Sequence, residues 1–204
     1  MNVFVLCTGR CGSVSFIEAC KHIQNYACGH ESRTQSIGED RLDFPENHIE
    51  ADNRLSWFLG KLDAKYGQQA FYVHLLRDHE KTAESFNRRW NKSRMGIIDA
   101  YGYGILMQET IEKKEAERLK YCRDYCETVT TNIACFLKDK PQKMILHLEK
   151  IKEEFPVFWE RIGAEGELEQ ALKEFDSRHN EHQKQENNPF VSWLQKIRRS
   201  IASR

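Results

Sequence analysis

The sequence predicts an α/β protein, a three-layer sandwich on a central parallel sheet, with residues 1–204 forming one domain. Two observations carry this. Three short apolar runs, Val3–Cys7, Phe71–Leu76 and Met144–Leu148, have the near-continuous hydrophobicity of strands buried on both faces. Each is followed by a segment with helical spacing, the alternation that builds parallel sheets. A chain of 204 residues can bury a good-sized core around such a sheet.

The first strand runs straight into Thr8-Gly9-Arg10-Cys11-Gly12-Ser13. Gly9 and Gly12 let the backbone turn sharply and approach a ligand closely. Ser13 is the expected N-cap of a helix reaching about Gln24, with Phe16, Ile17, Cys20 and Ile23 as its apolar stripe. A strand, a glycine loop and a helix start together aim unpaired N–H groups and a helix dipole at one spot, which suits a phosphate or sulfate. Arg10 adds a fixed charge able to bond two anionic oxygens at once. The spelling is not that of a nucleotide triphosphatase loop, because no lysine follows Gly12, and there is no G-x-G-x-x-G.

A short second strand is expected at Asn25–Gly29, then a long polar connection from Arg33 to about His48. Glu50–Arg54 reads as the opening of a helix to about Tyr66, stopped by Gly67. The strand Phe71–Leu76 leads into Arg77-Asp78 and a helix from about Glu80 to Trp90 that carries Ser85, Arg88 and Arg89. Arg77 at the strand end and Ser85 two turns along the helix can converge on one phosphate, by charge and by hydroxyl. The plainer reading makes Asp78 an N-cap and the arginines solvated helix ends. Ile97 to about Gln108 is too glycine-rich for a firm helix, whereas Glu109 to about Lys138 reads as a long one. After the third core strand come a helix with Phe155, Phe158 and Trp159, a shorter one over Leu168–Phe175, and an amphipathic segment from Pro189.

Composition narrows the function classes. Lys and Arg number 31, as do Asp and Glu, so no general polyanion surface is advertised and nucleic acid is not expected as the main ligand. No run approaches a membrane span. Seven cysteines and no secretory signal suggest reduced thiols and a cytoplasmic protein. Cys7/Cys11 and Cys122/Cys126 lack the flanking ligands of a zinc site.

The loop Thr8–Ser13 resembles the 5′-phosphosulfate-binding loop of sulfotransferases that use 3′-phosphoadenosine 5′-phosphosulfate (PAPS). Arg77 and Ser85, eight residues apart after a strand, resemble that family's 3′-phosphate element. The resemblance implies a P-loop-like sulfotransferase fold of the small, bacterial or carbohydrate type. It also implies a donor site of Thr8, Gly9, Arg10, Cys11, Gly12, Ser13, Val14, Arg77 and Ser85. The implied activity is sulfuryl transfer from PAPS, as co-substrate and without a metal, to a carbohydrate or small-molecule hydroxyl. Arg10 stands where many members have lysine, which implies an electrostatic role. The base an alcohol acceptor needs is sought among His30, Glu31, His48 and Glu50, with Glu31 first and His30 next. His74 and His147 read as satisfied core or sheet-face histidines, and Trp90, Tyr101 and Tyr103 as either acceptor-stacking or core rings. Two alternatives stay open: a kinase-like enzyme with Asp78 as its acid, and a nucleotide-binding protein of the same fold without turnover.

Overall fold

The computed structural model describes residues 1–90, 96–108 and 115–176. Five strands, β1 (Val3–Leu6), β2 (Ala27–His30), β3 (His48–Ala51), β4 (Phe71–Leu76) and β5 (Lys143–His147), form one sheet in the order β2-β3-β1-β4-β5. Every neighbouring pair is parallel, with Val3 of β1 registered on Ile49 of β3 and on Phe71 of β4. From β1 the chain goes out to β2, returns to β3, then crosses β1 to reach β4 and β5. The strand order therefore reverses beside β1, and the crevice outside the carboxyl ends at such a point is where open parallel sheets hold ligands.

Helices α1 (Ser13–Cys20), α2 (Leu59–Tyr66), α3 (His79–Asn87), α4 (Ile97–Asp99), α5 (Glu115–Leu137), α6 (Ile151–Arg161) and α7 (Leu168–Lys173) complete the layers. Side chains alternate along β1. Val3 and Val5 enter a core with Phe16 and Ile17 of α1 and Phe155 and Phe158 of α6. Phe4 and Leu6 enter the opposite core with Leu62 of α2 and Tyr125 and Val129 of α5. A strand buried on both faces favours apolar side chains at every position, and β1 is an unbroken apolar run for that reason.

The region between β2 and α2 differs from the sequence reading. Residues 48–51 form a strand in the sheet rather than the end of a loop and the start of a helix, and the expected helix splits into a 3₁₀ turn, Asn53–Trp57, and α2. Polar residues hid the strand. His48, Glu50 and Asp52 all point to one face, are all buried, and pair internally rather than with water. Gly67 ends α2 as expected, with a φ of 50° and its N–H on the Asp63 carbonyl.

Residues 97–105 are helical after all, as α4 followed by a π-helical turn over Ala100–Ile105. The β5 edge is blunted from α6: Arg161 donates to the Lys143 carbonyl at 2.8 Å, and Glu154 accepts the His147 N–H at 2.5 Å. His147 is exposed and bonded to Glu154, whereas buried His74 has no partner for Nε2, so of these two strand histidines His147 is the satisfied one. The segment from Pro189 lies outside the described residues, as does the start of the helix expected from Glu109. Among the described residues no helix is long and apolar enough to cross a membrane.

Candidate active site

The loop between β1 and α1 sits at the reversal point. Gly9, Arg10 and Gly12 all have left-handed backbones, with φ of 83°, 60° and 87°. Gly12 rather than Ser13 occupies the N-cap position of α1, with no side-chain cap, so the first N–H groups of the helix are left for another acceptor. The left-handed backbone favours glycine at both positions, and neighbours crowd each one. A Cβ on Gly9 would lie 3.0 Å from the Asn53 amide, and one on Gly12 would lie 2.5 Å from a Leu148 methyl.

The underside of the loop is held by hydrogen bonds that the sequence did not advertise. Tyr125 of α5 donates its hydroxyl to the Thr8 carbonyl at 2.8 Å, and the Asn53 amide reaches the same carbonyl at 3.4 Å. Ser56 donates to the Cys7 carbonyl at 3.3 Å. These residues belong to elements far along the chain, and only Asp52-Asn53 at a strand end offered a local signal. Within the loop, the Cys7 thiol is hydrogen-bonded to Cys11 and buried, which pushes it well up. Cys11 is pulled down, first by that bond, against its burial, and then by the N–H groups of Gly9, Ser13 and its own backbone. All seven cysteines are free thiols.

Both anion elements read from the sequence meet here. Arg10 donates through Nε to Ser85 Oγ at 3.2 Å, and Arg77 donates through Nη1 to the Arg10 carbonyl at 2.9 Å. Ser85 is buried on α3. Asp78 caps α3 through the Lys81 N–H, as the plainer sequence reading had it, and its own N–H is taken by Glu149. Burial, then the neighbouring charges of Arg89 and Arg77, depress the Arg10 guanidinium to about 10. Among the described residues neither Arg10 nor Arg77 has a carboxylate partner. Half-buried positive charge with hydrogen-bonding capacity to spare is what an anion requires of a protein.

On the other side of the loop, His30 at the end of β2 shares a 3.0 Å hydrogen bond between Nε2 and Ser13 Oγ. Glu31, with φ of 52°, is paired with Arg54 at 2.8 Å. His48 and Glu50 are not at this edge. Glu50 lies in mid-strand with no exposure, binding His48 at 2.8 Å and both the N–H and the hydroxyl of Ser32 at 2.7 Å, and His48 begins the strand at its far end. A Cβ on Gly29 would lie 2.4 Å from the Glu50 carboxylate, so that glycine makes room for it. Of the aromatic residues considered for the acceptor, Tyr101 is a core residue bonded to Asp124, whereas Tyr103 is half exposed. Trp90 packs at the margin of the α5-side core.

Among solved structures, the chain is similar to mouse sulfotransferase SULT7A1 complexed with PAP, with a TM-score of 0.56 and 12% identity over 86% of this chain and 63% of that one. The fold is that of a sulfotransferase. A sulfotransferase from Alicyclobacillus acidocaldarius is similar over 80% of this chain and 81% of that chain, at 12% identity and a TM-score of 0.45. No family model matches the chain, and no curated protein does. The chain spans 63%, less than two thirds, of the mouse protein. Within the sulfotransferase fold, then, the glycine loop after β1 and the Arg77–Ser85 element after β4 flank the reversal point of the sheet.

Proposed function

We propose that this chain, with residues 1–204 as one domain, is a PAPS-dependent sulfotransferase acting on the hydroxyl of a carbohydrate or small molecule in a reducing, cytoplasmic setting. One observation carries the reading: Arg10, Arg77 and Ser85, from two elements 67 and 75 residues apart, converge beside a glycine loop at the carboxyl edge of the sheet. The free thiols support the compartment. PAP in the mouse structure supports the donor.

The geometry supports the division of labour that the resemblance implies. Gly9, Arg10, Cys11, Gly12, Ser13 and Val14 cradle the 5′-phosphosulfate, with Thr8 anchoring the loop, while Arg77 and Ser85 take the 3′-phosphate. In the transfer, the acceptor oxygen forms its bond to sulfur as the bond from sulfur to the 5′-phosphate oxygen breaks, and the leaving oxygen keeps the electron pair. Arg10 and the helix N–H groups stabilise the charge that develops there. The acceptor proton passes to a base. His30 is the proposed base, supported by its contact with Ser13 of the loop. Glu31, preferred from the sequence, holds Arg54 instead and is assigned to the acceptor side. The kinase alternative is weakened because Asp78, its acid, is committed to capping α3.

Calorimetric titration with PAP, ADP and ATP, with and without magnesium, tests the donor site. Metal-independent binding of PAP in preference to ADP is expected, with affinity falling about 10- to 100-fold in Arg77→Ala and in Arg10→Ala, as for the loss of a charged hydrogen bond. Magnesium-dependent ATP binding with no preference for the 3′-phosphate would overturn the reading.

A further inference from the structure

The 3₁₀ turn Asn53–Trp57 has three faces, because residues three apart in such a turn stand one above the other. Asn53 and Ser56 form the first and fasten the turn to the Thr8 and Cys7 carbonyls of the loop. Leu55, with the following Phe58, forms the second: Leu55 has no exposure, and Phe58 lies beneath the Arg41 guanidinium at 5.1 Å. The third carries Arg54 and Trp57, stacked about 6 Å apart along the axis. This face opens to solvent, with Trp57 at 36% exposure and the Arg54 side chain at 37%.

Resting on the donor reading above, we propose that this third face, with Glu31, is the acceptor subsite and that it takes the ring of a neutral sugar. Position argues first. A rigid turn bonded twice to the donor loop fixes whatever lies on it relative to the sulfuryl group, and the 3′-phosphate element occupies the opposite, β4 side. Chemistry argues next. Trp57 offers a broad apolar surface for the C–H face of a pyranose, while its ring is braced against Tyr101 at 6.4 Å. The Arg54–Glu31 pair, at 2.8 Å, presents donors and acceptors side by side, as adjacent ring hydroxyls require. Its charges cancel, so an anionic sugar gains nothing there. A simple phenol would use the indole and leave the pair unanswered. Glu31 is held for this task on a left-handed backbone, φ 52°, with its N–H on the Ala51 carbonyl at 3.0 Å.

Ligand-observed saturation-transfer NMR on the full chain loaded with PAP tests this, with neutral methyl hexopyranosides, methyl glucuronide and 4-nitrophenol as probes. The neutral glycosides are expected to bind in preference to both others. Trp57→Ala should weaken them about tenfold and Arg54→Met should weaken them as well, with PAP affinity by calorimetry unchanged in both variants. Preference for the phenol or the glucuronide, no glycoside binding, or glycoside binding indifferent to both substitutions would overturn the subsite while leaving the PAP result standing. Failure of the wild type to bind PAP would show in calorimetry alone and would remove the donor reading and the subsite together.

Discussion

The carboxyl edge of the sheet holds charge in two ways. On the β4 side, Arg10 and Arg77 bond a hydroxyl and a carbonyl and meet no carboxylate among the described residues. On the β2–β3 side, each named cation has its acid: Arg41 with Asp52 and Arg54 with Glu31. Burying or half-burying charge is costly unless a partner offsets it. Where the fold supplies the partner, the pair serves the scaffold. Where it does not, the fold tolerates repulsion that a bound anion would relieve. On the proposed assignment, the donor half carries charge that its ligand would offset and the acceptor half carries charge already paired, so substitutions in the two halves should differ in sign.

The largest effect is expected on the paired side. Arg41 is 3% exposed, bonds Asp52 at 2.5 Å, and already has an unpartnered Nη1. Asp52→Ala leaves that guanidinium buried and unpaired, which should cost about 3–5 kcal/mol in urea unfolding. The PAP affinity of the folded fraction should be retained. A drop in affinity as large as the drop in stability would show that the halves are not separate.

The donor half has its own buried group, His74 on β4, which tests whether unpaired burial extends beneath the site. Burial first, then His147, depress it to about 4. The fold therefore favours neutral imidazole. The stability this supplies is complete above the ordinary histidine value of about 6.5 and is lost as pH falls from there to about 4, up to about 3 kcal/mol in all. His74→Leu should flatten that acid limb while changing neutral-pH stability little, because Nε2 has no hydrogen bond to lose. An unchanged acid limb would assign the loss to other groups.

The same contrast explains what the sequence could show. Donor-side residues are legible because each element is local: a strand, then its loop, with Arg77 and Ser85 eight residues apart on one strand–helix unit. Their charges were visible as motifs because each stands at a strand end beside a loop or helix start. Acceptor-side residues were misread because their partners lie elsewhere. His48-Ile49-Glu50-Ala51 alternates as a strand should, yet its polar members looked solvated until Ser32, across β2, and the internal pairing to His48 enclosed Glu50. Asn53, Ser56 and Tyr125 fasten the loop through its carbonyls, and backbone carbonyls leave no mark in the sequence.

The smallest effect is the most discriminating, because it reverses sign with ligand. Arg10 is depressed to about 10 by burial and by its arginine neighbours, so the apo fold works against its charge at neutral pH. Partial exposure and screening reduce the cost to on the order of 1 kcal/mol. Arg10→Gln keeps a hydrogen-bonding side chain for Ser85 while removing the charge. It should raise the stability of the apo protein by about that amount, the usual exchange between a strained site and a stable fold. With saturating PAP the order should invert, because the wild type gains RT ln(1 + [L]/Kd) and the variant, binding more weakly, gains less. Thermal unfolding of both proteins across a PAP series would show two curves that cross. Parallel curves would mean that Arg10 is not part of the donor site. A variant less stable at every concentration would mean that its charge serves the scaffold, as the paired charges of the other half do.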